Sequence, residues 1–305
     1  MITTTPSAFL AALAALPPLR NPRLTARAAF LVAPAAHELA AESAHDNRYM
    51  RMDAGFDAQQ AIAQHAMLAQ ALRADVPVVT FPGEPASPDA MFPNNVFATA
   101  AGRFIVARMR HAVRQREADR GDIRAFFRDA LHYEEIDLSR GDRGVGELTG
   151  SLVIDHARGI GYCGLSERCD MDGARAMHDA FGLRLTFCFD LAAGEYHTNV
   201  VMASLAGRAV ILAPDGFADP EAPPAIAQAF DGRATWLTPE QKRAYAGNAI
   251  TLSPERVWMS DCAAASLTDT QHAALTEWGF AIGSVELDEI EKAGGSLRCC
   301  VGEIF

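Results

Sequence analysis

The chain has 305 residues, half of them hydrophobic, and a formal net charge of −11. An acidic balance without a basic stripe argues against nucleic acid or an anionic membrane as partner and favours a small-molecule ligand. Six cysteines with no CxxC pair and no dense spacing exclude a zinc ribbon or a disulfide framework and fit a reducing cytoplasm.

Residues 8–16 are apolar, but no Lys or Arg precedes Arg20, so the charged start of a secretory signal is missing. Ser7 reads as the N-cap of a short helix that stops before Pro17-Pro18. Residues 1–25 are thus expected as a helical extension, and 1–305 as one domain. No apolar run reaches the roughly 20 residues of a membrane span.

A first unit follows, with a strand at 28–31, a polar stretch at 37–55, a helix at 58–72 and a strand at 76–81. Four further units each open with a polar turn and a strand, at 95–99, 151–155, 199–202 and 248–252. A second strand follows three of them, at 104–107, 209–212 and 257–259. Helical stretches come next, at 113–131, 171–181, 222–230 and 269–278, and closing strands at 133–138, 183–189, 234–237 and 281–285. The units recur roughly every 50 residues with Asn or Ser at each strand start, which points to a ring or array of supersecondary units. Strands alternating with helices make the class α/β or α+β. In a ring, the turns gather at one end of the axis, and residues distant in sequence meet in one pocket.

Three of those turns carry chemistry. Gly294-Gly295-Ser296-Leu297-Arg298-Cys299-Cys300 delivers two thiols on a flexible loop, with Arg298 positioned to favour a thiolate. A strand alternates its faces, so only one of the two thiols should face a pocket. Tyr196-His197-Thr198-Asn199 offers a general acid and base, and Gly146-Glu147-Leu148 a carboxylate. Such a Glu/His/Cys set performs covalent substitution at a trigonal carbon. No HxxEH, cysteine–histidine cluster or carboxylate array suggests a metal, and no phosphate loop suggests a nucleotide, so no cofactor is expected.

In order along the chain, Pro88-Asp89-Ala90-Met91-Phe92-Pro93-Asn94-Asn95, the Glu147 turn, Gly164-Leu165-Ser166-Glu167-Arg168, the His197 turn and the Gly294–Cys299 loop resemble the pentein, or amidinotransferase, superfamily of guanidino-modifying enzymes. Its members include arginine deiminases, dimethylarginine dimethylaminohydrolases, citrulline hydrolases and glycine amidinotransferases. The Phe-Pro-Asn-Asn form is most similar to the citrulline-hydrolase and dimethylargininase-like branch. The resemblance runs from about residue 30 to the C-terminus and implies a five-bladed α/β propeller with pseudo-fivefold symmetry. It also implies Cys299 as nucleophile with Cys300 as alternate, and His197 as acid and base. Glu147 would orient His197 or hold substrate nitrogens, and Asp89 would contact them. Arg114 and Arg168 would grip the substrate's α-carboxylate, which suits a guanidinium fork.

Asn94 and Asn95 stand where guanidinium-binding members commonly carry acids. An amide matches a neutral ureido group better than a buried cation, so the expectation tilts from arginine toward citrulline. The expected activity is hydrolysis of a ureido or guanidino amino acid through a Cys adduct. An amidinotransferase, or a non-catalytic propeller that binds a partner, is the alternative. A homodimer is the commonest assembly on general grounds. Stretches 37–55 and 139–144 are the candidates for a lid, the first reading more readily as a surface loop.

Overall fold

The computed structural model describes residues 1–141 and 144–305. Its strands form five separate small sheets. Phe97–Ala100, Arg103–Val106 and Glu134–Asp137 make one; Leu152–Asp155, Ile160–Leu165 and Leu185–Asp190 the next. Met202–Leu205, Ala209–Leu212 and Ala234–Trp236 follow, then Ile250–Ser253, Arg256–Ser260 and Ala281–Val285. In each, the first pair is an antiparallel hairpin and the second pair is parallel across a helical crossover.

The first unit lacks a hairpin partner in its own stretch of sequence, and the far end of the chain supplies it. Gly302–Ile304 pairs antiparallel with Ala28–Val32, which pairs in parallel with Val78–Phe81. The fifth copy of the pattern is therefore assembled from both ends, which closes the propeller. Neighbouring first strands lie side by side around the axis: Gly302–Ile304 by Phe97–Ala100, and Met202–Leu205 between Leu152–Asp155 and Ile250–Ser253.

Local chemistry accounts for the crossover helices. Asp57 caps Ala58–Leu72 by accepting from Gln59 and Gln60 N–H, and the face Ala61, Gln64, His65, Leu68 and Leu72 is buried at helical spacing. Asp170 caps Met171–Phe181, and Gly182 ends that helix with φ +65°. Both helices match their expected bounds.

Several expectations need correction. The first helix is Pro6–Ala14, capped by Thr5 rather than Ser7, because Pro6 suits the first helical position. Residues 113–131 break into short pieces, among them Ala112–Gln115, Gly121–Ala125 and a wide turn at Phe126–Ala130. Residues 199–201 are not strand but part of a helical turn, Thr198–Val201. The third unit does have its second strand, Ile160–Leu165. Ile2–Thr3 adds to the Leu185–Asp190 edge in parallel, ahead of the helix. Among the described residues, no helix is long and apolar enough to cross a membrane.

Candidate active site

A short helical turn precedes several of the inner strands, and these turns meet at one end of the axis. Glu147 stands directly before Leu148–Ser151 and His197 directly before Thr198–Val201. Asn95 ends the turn Pro93–Asn95, and Cys299 lies within Leu297–Cys300. The elements approach so closely that Gly150 has no room for a side chain. A Cβ there would stand 2.4 Å from Asn95 Oδ1 and 2.8 Å from the His197 ring.

His197 Nε2 lies 2.8 Å from Glu147 Oε2. Glu147 also accepts from Arg110 N–H at 3.1 Å and from Arg168 Nη1 at 3.2 Å. Burial pushes the Glu147 carboxyl up, but the Arg168 guanidinium and the His197 bond outweigh it and hold the group well below the usual carboxylate range. Burial lowers His197 despite Glu147, so the imidazole is neutral. Nε2–H then donates to the carboxylate, and the lone pair sits on Nδ1, buried without a protein partner.

Cys299 Sγ receives the amide of Asn248 at 3.2 Å and that of Asn199 at 3.6 Å. Burial pushes its thiol up, and the Asn248 bond is the foremost influence opposing that. Arg298 favours the thiolate through its charge, as expected, while its guanidinium donates to Val301 O and Glu303, both at 2.8 Å, and not to Sγ. The thiols lie on a tight helical turn and not on a strand. Cys299 lines the pocket, whereas Cys300 sits fully buried in the apolar core.

The pocket is lined by Asp89, Asn95, Arg114, Arg168, His197 and Cys299, with Ser43 and Asn47 across from Gly294 and Gly295. Asn94 is fully buried outside it, a correction. Successive side chains on a three-residue turn diverge by roughly 120°, so only one of the two asparagines faces the pocket. The arginines are present but not free. Arg114 donates twice to Glu117, at 2.8 and 2.9 Å, and once to Phe92 O. Arg168 is divided between Asp46, Glu147 and Ser43 O. Both line the pocket, with the guanidinium edges that carry these bonds already occupied by protein acceptors.

Asp89 is buried, with Oδ2 accepting from Ser43 at 2.5 Å and Oδ1 left without a partner. Burial raises its carboxyl despite Arg114 and Ser43, and burial pushes Glu117 up to about 7 despite Arg114. Four carboxylates (Asp46, Asp89, Glu117 and Glu147) thus surround two guanidinium groups (Arg114 and Arg168) and a neutral imidazole.

Sequence reading did not single out Ser43, Asp46, Asn199 or Asn248. The recurrence of Asn at strand starts was the available signal for the last two. Stretch 37–55, a lid candidate that read more readily as a surface loop, contributes Ser43 and Asn47 to the pocket wall. Asn47 donates to Gly294 O at 3.2 Å, and Arg48 and Tyr49 both bond to Glu195. Of the other lid candidate, Ser139–Gly141 line a separate cleft, and 142–143 lie outside the described residues.

Comparison with known proteins agrees with this architecture. An N-terminal domain of ArgZ, a cyanobacterial arginine dihydrolase solved as a cysteine-to-serine mutant with substrate, superposes with a TM-score of 0.77 at 18% identity, covering 90% of this chain and 97% of that one. A dimethylarginine dimethylaminohydrolase in adduct with 4-chloro-2-hydroxymethylpyridine superposes at 0.69 with 19% identity, covering 92% and 100%. The uncharacterized protein YkgA of Bacillus subtilis (strain 168) is 24% identical over 242 residues, 78% of this chain and 77% of that protein. Residues 33–305 match the family model for N,N dimethylarginine dimethylhydrolase, eukaryotic. The chain belongs to that N,N-dimethylarginine dimethylhydrolase family, within the pentein superfamily.

Proposed function

We propose that this protein is a cysteine-dependent C–N hydrolase acting on the guanidino group of arginine or an N-methylated arginine. The observation that carries the substrate class is Asp89 Oδ1, a buried carboxyl oxygen without a partner in a residue that lines the pocket. A guanidinium brings to that oxygen both N–H donors and a positive charge. This outweighs the tilt toward citrulline that Asn95 suggested.

Cys299 thiolate adds to the guanidinium carbon, forming a C–S bond. The proton that the Cys299 thiol gives up passes to His197 Nδ1, which delivers it to the departing nitrogen as the C–N bond breaks, leaving a cationic thiouronium adduct. Water then attacks the same carbon and His197 accepts its proton. Cleavage of the C–S bond returns the thiolate and a ureido product. Glu147 fixes the imidazole tautomer that keeps Nδ1 available, as suits a base oriented by a third group.

A second reading rests on Asn95, whose Oδ1 faces the pocket unpartnered. An amide there suits a ureido group, so hydrolysis could continue past the first C–N bond, as the name arginine dihydrolase indicates for ArgZ. Product analysis with arginine, dimethylated arginine and citrulline tests both readings, with Cys299→Ala as control. Amine release that stops at the ureido product supports the first reading, and citrulline breakdown the second. No Cys299-dependent release from any of them sinks both.

A further inference from the structure

We propose that Asn248, assisted by Asn199, is a catalytic residue that holds and stabilises the Cys299 thiolate. The inference rests on Cys299 as the reacting group. No positively charged group of the protein bonds to Sγ among the described residues, because Arg298 is taken by Val301 O and Glu303. Two neutral amides from successive propeller units take that place. Both are buried, Asn248 at 0% and Asn199 at 1% exposure, so water does not compete for their protons.

The Asn248 amide can be oriented in only one way. Its Oδ1 accepts the Cys299 backbone N–H at 3.4 Å. One Nδ2 proton goes to Asn199 O at 2.9 Å, and the other is left for Sγ at 3.2 Å. A flipped amide would set oxygen against the Asn199 carbonyl and N–H against N–H, so the donor toward sulfur is preorganised. Asn199 is held less strictly, with Nδ2 at 3.6 Å and Oδ1 at 3.9 Å from Sγ. A donor fixed on sulfur gains strength when sulfur carries charge. That occurs twice in the cycle, when the thiol loses its proton and when the C–S bond of the adduct breaks and thiolate leaves. Asn248 therefore serves both halves of the reaction, and the second step needs it most.

The test is the pH profile of iodoacetamide alkylation at Cys299, read by mass spectrometry in the wild type, Asn248→Ala, Asn248→Asp and Asn199→Ala. Asn248→Ala is expected to move the inflection up by about one unit and to slow alkylation about tenfold near pH 8. Asn248→Asp keeps the shape and the acceptor for Cys299 N–H but sets an anion against sulfur, so it should shift the profile further. Asn199→Ala should shift it less. Profiles that superpose on wild type in folded Asn248→Ala overturn the proposal. So does an unshifted Asn248→Asp, which is the deciding variant if the alanine does not fold. Alkylation needs no turnover, so inactivity toward guanidino compounds would sink the hydrolase reading while leaving this result to stand or fall by itself.

Discussion

His197 commits Nε2 to Glu147 at 2.8 Å and leaves Nδ1 bare in the pocket. Removing the carboxylate's charge while keeping its shape disturbs that choice of tautomer. Glu147→Gln is therefore expected to lower kcat by roughly 10²–10⁴ with little change in KM. Steady-state kinetics on whichever guanidino compound the enzyme turns over checks this. A kcat within a few-fold of wild type would show that Glu147 does not orient the imidazole.

Asp89 separates guanidino from ureido recognition. Asp89→Asn should raise KM for arginine-type substrates about a hundredfold or more, since a buried cation loses its unpaired anion. Citrulline binding should change far less. Equal losses for both ligands, measured by calorimetric titration of a Cys299→Ala background, would show that Asp89 does not read charge.

Gly150 marks where backbone meets catalytic side chains. A Cβ 2.4 Å from Asn95 Oδ1 and 2.8 Å from the His197 ring must displace one of them. Gly150→Ala is expected to fold yet lose at least about a hundredfold in kcat/KM, because misplacing a base by about 1 Å costs that much. Wild-type kinetics in this variant would mean that the turn relaxes without moving His197.

Propeller closure predicts a stability effect at the C-terminal strand. Thr99 Oγ1 donates to Glu303 O and accepts from Phe305 N–H, both at 2.9 Å, holding the last residues to the neighbouring unit. Thr99→Val should cost about 1–3 kcal/mol by leaving two buried backbone groups unpaired. Chemical denaturation measures it. No change in midpoint would show that closure does not depend on this bridge.

Buried histidines set the acid limit. Burial lowers His65 to about 4 and His156 to about 3. Each stays neutral when folded, while the unfolded chain binds a proton below about pH 6.5, so stability falls as pH drops from there toward the folded value. For His65 the full effect is about 3 kcal/mol. His65→Gln should flatten the decline in Tm between about pH 6.5 and 4. A slope equal to wild type would show that His65 is not part of it.

Much of the repeat was legible locally. Helices 58–72 and 171–181 carry their own caps and periodicity, and a strand such as 281–285 is bounded by turn residues, so short-range physics suffices. Cys299, His197 and Glu147 were legible as residue types on turns. The partners of those turns were not, since a hydrogen bond from Asn248 to Sγ across 51 residues leaves no local pattern. The same holds for stretch 37–55, whose polar composition suits either solvent or a pocket wall.

Sequence alone thus determined the repeating α/β units, the order of the chemical groups along the chain and the family. Only the tertiary structure decided which donors each group spends on its neighbours. Arg114, Arg168 and Arg298 all looked available in sequence, and all are neutralised by carboxylates that the ring brings alongside. The same closure left Asp89 Oδ1 and His197 Nδ1 unpaired. Charge compensation is a property of three-dimensional neighbours, and in a propeller those neighbours come from different units.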